Sequence, residues 1–167
     1  MSAKLALYQF LDDHLTGLQA AVNLDPLAVE ANSPLFASKL RFSHHELLKE
    51  DDWGLHISNV TSIPRTLGDE SKEFDARLIV TCFVRVPAKP DRDDRYAAYE
   101  RANAMALAIA QLIWADSGLG GRTCNTFVGQ MIDDFDVLDT GQVYAVTNLY
   151  VTVNQSGAVL PGLWGTL

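Results

Sequence analysis

The chain has 167 residues, 48% of them hydrophobic and 20% charged, which suits one domain with a sizeable core and does not suit a disordered chain. A net charge of −8 argues against a nucleic-acid-binding module, because phosphate binding needs clustered Lys and Arg. No apolar run reaches the roughly 18–20 residues of a membrane span, and the early acidic pair Asp12 and Asp13 is unlike a secretory leader, so assembly in a cytoplasm is the expectation.

The first predicted element is a helix from Ala3 to about Leu24, with Leu7, Leu11, Leu15, Leu18 and Val22 recurring every three or four residues. The pair Asp25–Pro26 stops it, since the residue before proline is pushed out of helical geometry. Residues 26–52 are weakly patterned, and Leu40–Lys49 reads equally as a short helix or an extended arm. Trp53–Val60 alternates as a strand, with Trp53, Leu55 and Ile57 on one face. Ser62–Lys72, with Pro64 and Gly68, reads as a long loop. Glu73–Val86 is the clearest strand. Leu78, Val80, Cys82, Val84 and Val86 make a core face, and Arg77, Ile79, Thr81, Phe83 and Arg85 make an amphipathic one that suits partial cover by a helix or a neighbouring subunit.

Asp91–Asp94 places acids at the positive end of the next helix, Tyr96–Trp114, which is dense in alanine and can therefore lie close to a sheet. Gly118 stands where a glycine cap is expected. Two strands follow, near Cys124–Leu138 and Gln142–Val153, joined by the hairpin signal Asp139-Thr-Gly141. In the first of them Phe127, Met131, Asp133, Phe135 and Val137 are expected to share a face. The order α-β-β-α-β-β predicts an α+β fold: a mainly antiparallel sheet of about four strands, with helices packed on one face. Residues 1–153 would form the single domain and 154–167 an arm without a charged side chain, able to dock Leu163 and Trp164 on a neighbour.

The chain offers little catalytic equipment. His44 and His45 are adjacent, so on a helix they point about 100° apart; a helical zinc pair needs i and i+4 spacing and a third ligand, and His56 is the only other histidine nearby. Ser117-Gly-Leu-Gly-Gly121 leaves a helix C-terminus, where the dipole repels anions, so it reads as a cap and not as a phosphate loop. Cys82 and Cys124 each fall in a predicted strand and read as buried structural thiols. Asp133, Asp134, Asp136 and Asp139 form an acidic cluster at a hairpin that reads as a solvated rim, or as a channel wall in a ring. Arg95 and Arg101 at the helix start, with Arg77 and Arg85 on the strand, are candidate interface residues that would set the geometry of an oligomer. No catalytic residue, metal ligand or cofactor-binding residue is assigned.

The first helix, the strand Arg77–Val86 ended by Pro87, the Arg/Ala-rich helix Arg95–Trp114 and the paired strands ending in Leu149-Tyr-Val-Thr-Val153 together resemble the tail terminator family of long-tailed bacteriophages. The resemblance spans residues 3–153 in element order and style, without a diagnostic short motif. It implies a non-enzymatic virion subunit that forms a ring, commonly a hexamer. Such a ring caps the tail tube at its head-proximal end, stops tube polymerisation and offers the head connector a surface, while DNA passes through without specific binding. Two other readings stand beside it: another head–tail connector or tail-completion subunit, and a small α+β ligand-binding or enzymatic domain in which His44, His45 and Asp133–Asp136 would be the first residues to test.

Overall fold

A 24-residue helix without a glycine or proline sets the architecture. The computed structural model describes residues 2–23, 40–41, 53–67, 71–87, 91–137 and 141–156. Along them run helices α1 (Ala3–Asp13) and α2 (Leu15–Asn23), strands β1 (Leu40–Arg41), β2 (Trp53–Leu67) and β3 (Ser71–Arg85), helix α3 (Arg92–Ala115), and strands β4 (Asn125–Val137) and β5 (Val143–Ser156). Helix α3 begins in a capping box: the Asp91 carboxylate accepts from the Asp94 N–H at 2.8 Å, and the Asp94 carboxylate accepts from the Asp91 N–H at 3.2 Å. It buries Ala98, Ala102, Ala106 and Ala110, one per turn, with Met105, Ile109 and Ile113 beside them. This ridge of methyl groups lets the helix lie close on the sheet, and the longer side chains fill the space on its flank.

The sheet has the order β1-β2-β3-β5-β4 and is antiparallel except for the two-residue pairing of β1 with β2. The α+β class and the helices on one face are as expected, with five strands in place of about four. Strands β3 and β4 run the same way with β5 between them, which is why a helix must carry the chain from one to the other. One face carries Leu55, Ile57, Leu78, Val80, Cys82, Val84, Ala145, Leu149, Val151 and Val153, all buried in one cluster with Leu7, Phe10 and Leu11 of α1 and the inner side of α3. On the second face a smaller cluster of Phe83, Tyr144 and Val146 is also buried, with the Phe83 and Tyr144 rings edge-to-face at 5.6 Å.

Several expectations are corrected. The first helix is two helices, broken at His14. The His14 N–H reaches back only to the Leu11 carbonyl (3.2 Å), and its ring Nδ1 lies 2.8 Å from the Phe10 carbonyl, taking the acceptor that a continuous helix would use. Ser62–Lys72 is not a loop. β2 and β3 pair from Trp53↔Val84 to Leu67↔Ser71, so the connection is confined to residues 68–70. Among the described residues β1 pairs with β2 at Leu55 and His56 alone, so no described strand pairs with Pro64 on that side, the position in a sheet at which proline is tolerated. Leu40 and Arg41 are extended, while the rest of Leu40–Lys49 lies outside the described residues. β5 runs on to Ser156, three residues past the expected strand end at Val153. Cys82 is buried as expected, but Cys124 is exposed and precedes β4.

Both long hairpins carry a bulge. β2 gains one residue between Asn59 and Thr61, and β4 gains one between Val128 and Met131. Because side chains alternate strictly, one extra residue turns the rest of the strand over. The predicted face Phe127, Met131, Asp133, Phe135, Val137 is therefore divided: Phe127 pairs with Thr152 on the second face, whereas Met131 and Asp133 pair with Leu149 and Thr147 on the helix-bearing face. Gly129 sits in this bulge, and a Cβ there would stand 3.4 Å from the Tyr150 carbonyl oxygen.

Burial pushes the Cys82 thiol above its ordinary value of 9.0. Above that pH the unfolded chain loses a proton that the folded chain keeps, so the slope of stability against pH is negative and the stability present below pH 9 is lost as pH rises. Denaturant titrations between pH 8 and 11 should show the wild type losing about 1.4 kcal/mol per pH unit more than Cys82→Ala once the unfolded thiol is ionised. Parallel slopes for the two proteins would contradict this.

Candidate interaction surfaces

The acidic residues of β4 do not form one cluster. Asp133 lies on the helix-bearing face at the sheet edge, where its carboxylate accepts a 2.7 Å hydrogen bond from the buried Thr147 hydroxyl. Asp134 and Asp136, opposite Val146 and Tyr144 in the register, belong to the other face. Asp139 lies outside the described residues. Burial first, and the Asp133 and Asp134 charges second, raise the Tyr99 phenol above its ordinary value of 10.0. Helix α3 also contacts β4. Tyr99 lines a shallow cleft of about 680 Å³ at the start of α3, with Asp91, Arg92, Asp93, Arg95 and Tyr96.

The arginines are likewise spread out. Arg77 and Arg85 are exposed on the second face of β3, and Arg95 is exposed in the first turn of α3. Arg101 is half-buried on α3; its Nε is enclosed without a hydrogen-bond partner among the described residues, and desolvation lowers its pKa. These four residues mark at least two separate surfaces, not one patch. His56 is buried in the middle strand region of the second face, beside the Thr81 hydroxyl that donates to the Asn148 side-chain oxygen at 2.8 Å. His44, His45, Leu163 and Trp164 lie outside the described residues. Among the described residues, no three His, Cys, Asp or Glu side chains are grouped as a metal site, and no helix is long and apolar enough to cross a membrane.

The glycine-rich break is built around Asp116. Its carboxylate accepts from the N–H of Gly118 (3.2 Å) and of Gly120 (2.9 Å), while the Thr123 N–H closes the loop on the Gly118 carbonyl (3.1 Å). The left-handed positions are Leu119, Gly120 and Gly121, so the expected cap at Gly118 is displaced, and Leu119 accepts a positive φ of 51° while fully buried. The amides that could cradle an anion are already held by a carboxylate of the same chain. Arg122 then ties the loop to α1 through a 2.5 Å ion pair with Asp13.

Sequence reasoning missed the exposed apolar residues. Tyr96, Leu107 and Trp114 stand out from α3, and Phe127, Met131 and Ile132 from β4, with Trp114 63% and Phe127 55% exposed. The signal was present in the spacing 96, 107, 114, which returns to one side of a 3.6-residue helix opposite Met105 and Ile109. In β4 the bulge hides it, since no single alternation gathers these residues.

Neither a protein-family model nor a curated protein sequence matches the chain.

Removing the Asp116 carboxylate leaves two loop amides without their acceptor. Asp116→Ala should cost about 1–2 kcal/mol in denaturant unfolding and speed amide hydrogen exchange at Gly118 and Gly120 while α3 stays protected. Unchanged exchange at both glycines would show that the carboxylate does not hold the loop.

Proposed function

We propose that the chain is a ring-forming subunit of the tail-terminator type, one that caps a phage tail tube and presents a surface to the head connector. The observation that carries this reading is the β4 side of the molecule. β4 is the last strand of the sheet, and it exposes Phe127, Met131 and Ile132 along an edge whose far side has no strand among the described residues. A long edge strand with large apolar side chains is a hazard for a free monomer and is ordinarily blunted or covered. Asp133 and Asp134 supply some of that protection, since charges on an edge disfavour indiscriminate pairing. A closed assembly supplies the rest. At the opposite end of the sheet the described residues of β1 pair with β2 at Leu55 and His56, so the two ends of the sheet are dissimilar. Dissimilar surfaces meeting head to tail close into a ring when the rotation per subunit divides the circle.

The resemblance in element order, the negative net charge and the dispersed ionisable groups all favour work done by surfaces. An acidic ring wall would repel DNA phosphate and let the duplex pass without being held. The proposed place of action is the head-proximal end of the virion tail, with the tail tube protein and the head–tail connector as partners.

Native mass spectrometry and negative-stain electron microscopy of the purified protein, alone and with tube protein, test the proposal. Closed rings, sixfold for a terminator, that stop tube growth are expected. The double change Phe127→Ser with Ile132→Lys should shift the protein to monomers with an unaltered circular dichroism spectrum. Twelvefold assemblies would favour the connector alternative, and a strict monomer that leaves tube growth unaffected would sink the ring reading.

A further inference from the structure

The two ends of the sheet carry opposite charge. Among the described residues the sheet ends in β4 on one side and in β1 on the other. β4 bears Asp134 and Asp136, opposite Val146 and Tyr144 in the register and so on the second face, with Phe135 between them opposite Ala145 on the helix-bearing face. β1 bears Arg41 opposite His56, a residue of the second face, and Leu40 opposite Leu55, a residue of the helix-bearing face. Lys39 adds a second positive charge to the sequence beside this strand. Each end of the sheet thus pairs an apolar residue on the helix-bearing face with a charge on the second face, negative at β4 and positive at β1.

The strand directions agree with this match. β1 runs parallel to β2, and β2 runs antiparallel to β3. β5 is antiparallel to both β3 and β4. β1 and β4 therefore run in opposite directions. A second copy turned about an axis along the strands keeps its strand directions and keeps each face of the sheet on its own side. Its β1 then meets β4 of the first copy as an antiparallel neighbour, helix-bearing face beside helix-bearing face. Antiparallel neighbours are the pairing for which residues stand directly across from one another.

We propose that β4 of one copy pairs antiparallel with β1 of the next, with Asp134 across from Arg41 and Phe135 across from Leu40. The proposal rests on the ring reading and names the two strands that join its subunits. One register satisfies both pairs, because in an antiparallel pairing a step forward on one strand is a step back on the other. Opposite charges facing each other across two strands stabilise the pairing, and like charges oppose it. Joining two β4 strands would bring the aspartates of both copies into one seam, so the charges select β1 and reject a second β4. Orientation, face and charge all select the same neighbour. The charge pair fixes the register more than it adds to the affinity, and the apolar pair shields Phe135 from water.

Native mass spectrometry of the full chain at stepped concentrations gives the concentration at which half of the protein is in rings. Arg41→Glu and Asp134→Arg should each raise it about tenfold with an unaltered circular dichroism spectrum. The chain carrying both changes should return to within about threefold of the wild type. An equimolar mixture of the two single variants should also form rings in which they alternate, because every β4 then meets the opposite charge on the next copy. Rings unaffected by either single change, or rings that neither combination restores, would overturn the strand pairing and leave the ring reading standing. Restoration in the double variant but not in the mixture would put both charges to work within one chain and overturn it too. If a reversed charge disturbs the fold, Arg41→Gln and Asp134→Asn replace it. Each should raise the half-ring concentration about threefold, and the two together no further than the larger alone. Additive effects would overturn the pairing. Monomers throughout in the wild type would overturn the ring reading and the strand pairing with it.

Discussion

The contact on which the rest of the molecule depends is the one between the alanine ridge of α3 and the middle of the sheet. Ala98, Ala102, Ala106 and Ala110 give the helix a smooth inner side, and Leu149, Val151, Val80 and Leu78 give β5 and β3 the matching apolar surface. Truncating the larger side chains that flank this ridge, such as Ile109, belongs to the class of core changes that cost about 2–5 kcal/mol. Helices α1 and α2 then complete the same layer, and Phe10, Leu7 and Leu11 close its end. With the helices gathered there, β4 has no strand beyond it among the described residues, and Tyr96, Leu107 and Trp114 stand exposed on α3.

Much of this was legible in the residues. The alternation in Glu73–Val86, the alanine density of α3 and the acids at its start translate directly into β3, a close-packed helix and a capping box. What was not legible depended on single backbone events. Nothing in the composition around His14 announces a break, because its cause is a ring nitrogen competing for the Phe10 carbonyl. Pro64 and Gly68 look like loop residues, and the proline is acceptable within a strand where, among the described residues, β2 has no partner strand on one side.

The acidic residues show the same limit more sharply. Read along the chain, Asp133, Asp134 and Asp136 are neighbours. Strand parity separates Asp133 from Asp134, and the buried Thr147 hydroxyl gives Asp133 a structural partner that no spacing rule reveals. The apolar residues behaved in the opposite way: Phe127, Met131 and Ile132, ordinary core letters in the sequence, are exposed because their strand is the outermost one. Topology, more than composition, decides which side chains face other molecules.

The inserted residue at Gly129 also has a geometric effect at larger scale. A bulge bends its strand and increases the local right-handed twist, and here it sits in the outermost strand, held by the close approach of Gly129 to the Tyr150 carbonyl. A strand paired with β4 would inherit that twist as a fixed inclination. Curvature in an assembly built on this edge would thus be encoded in one backbone irregularity, and a side chain in place of the Gly129 hydrogen would act on the radius of the assembly before it acted on the fold.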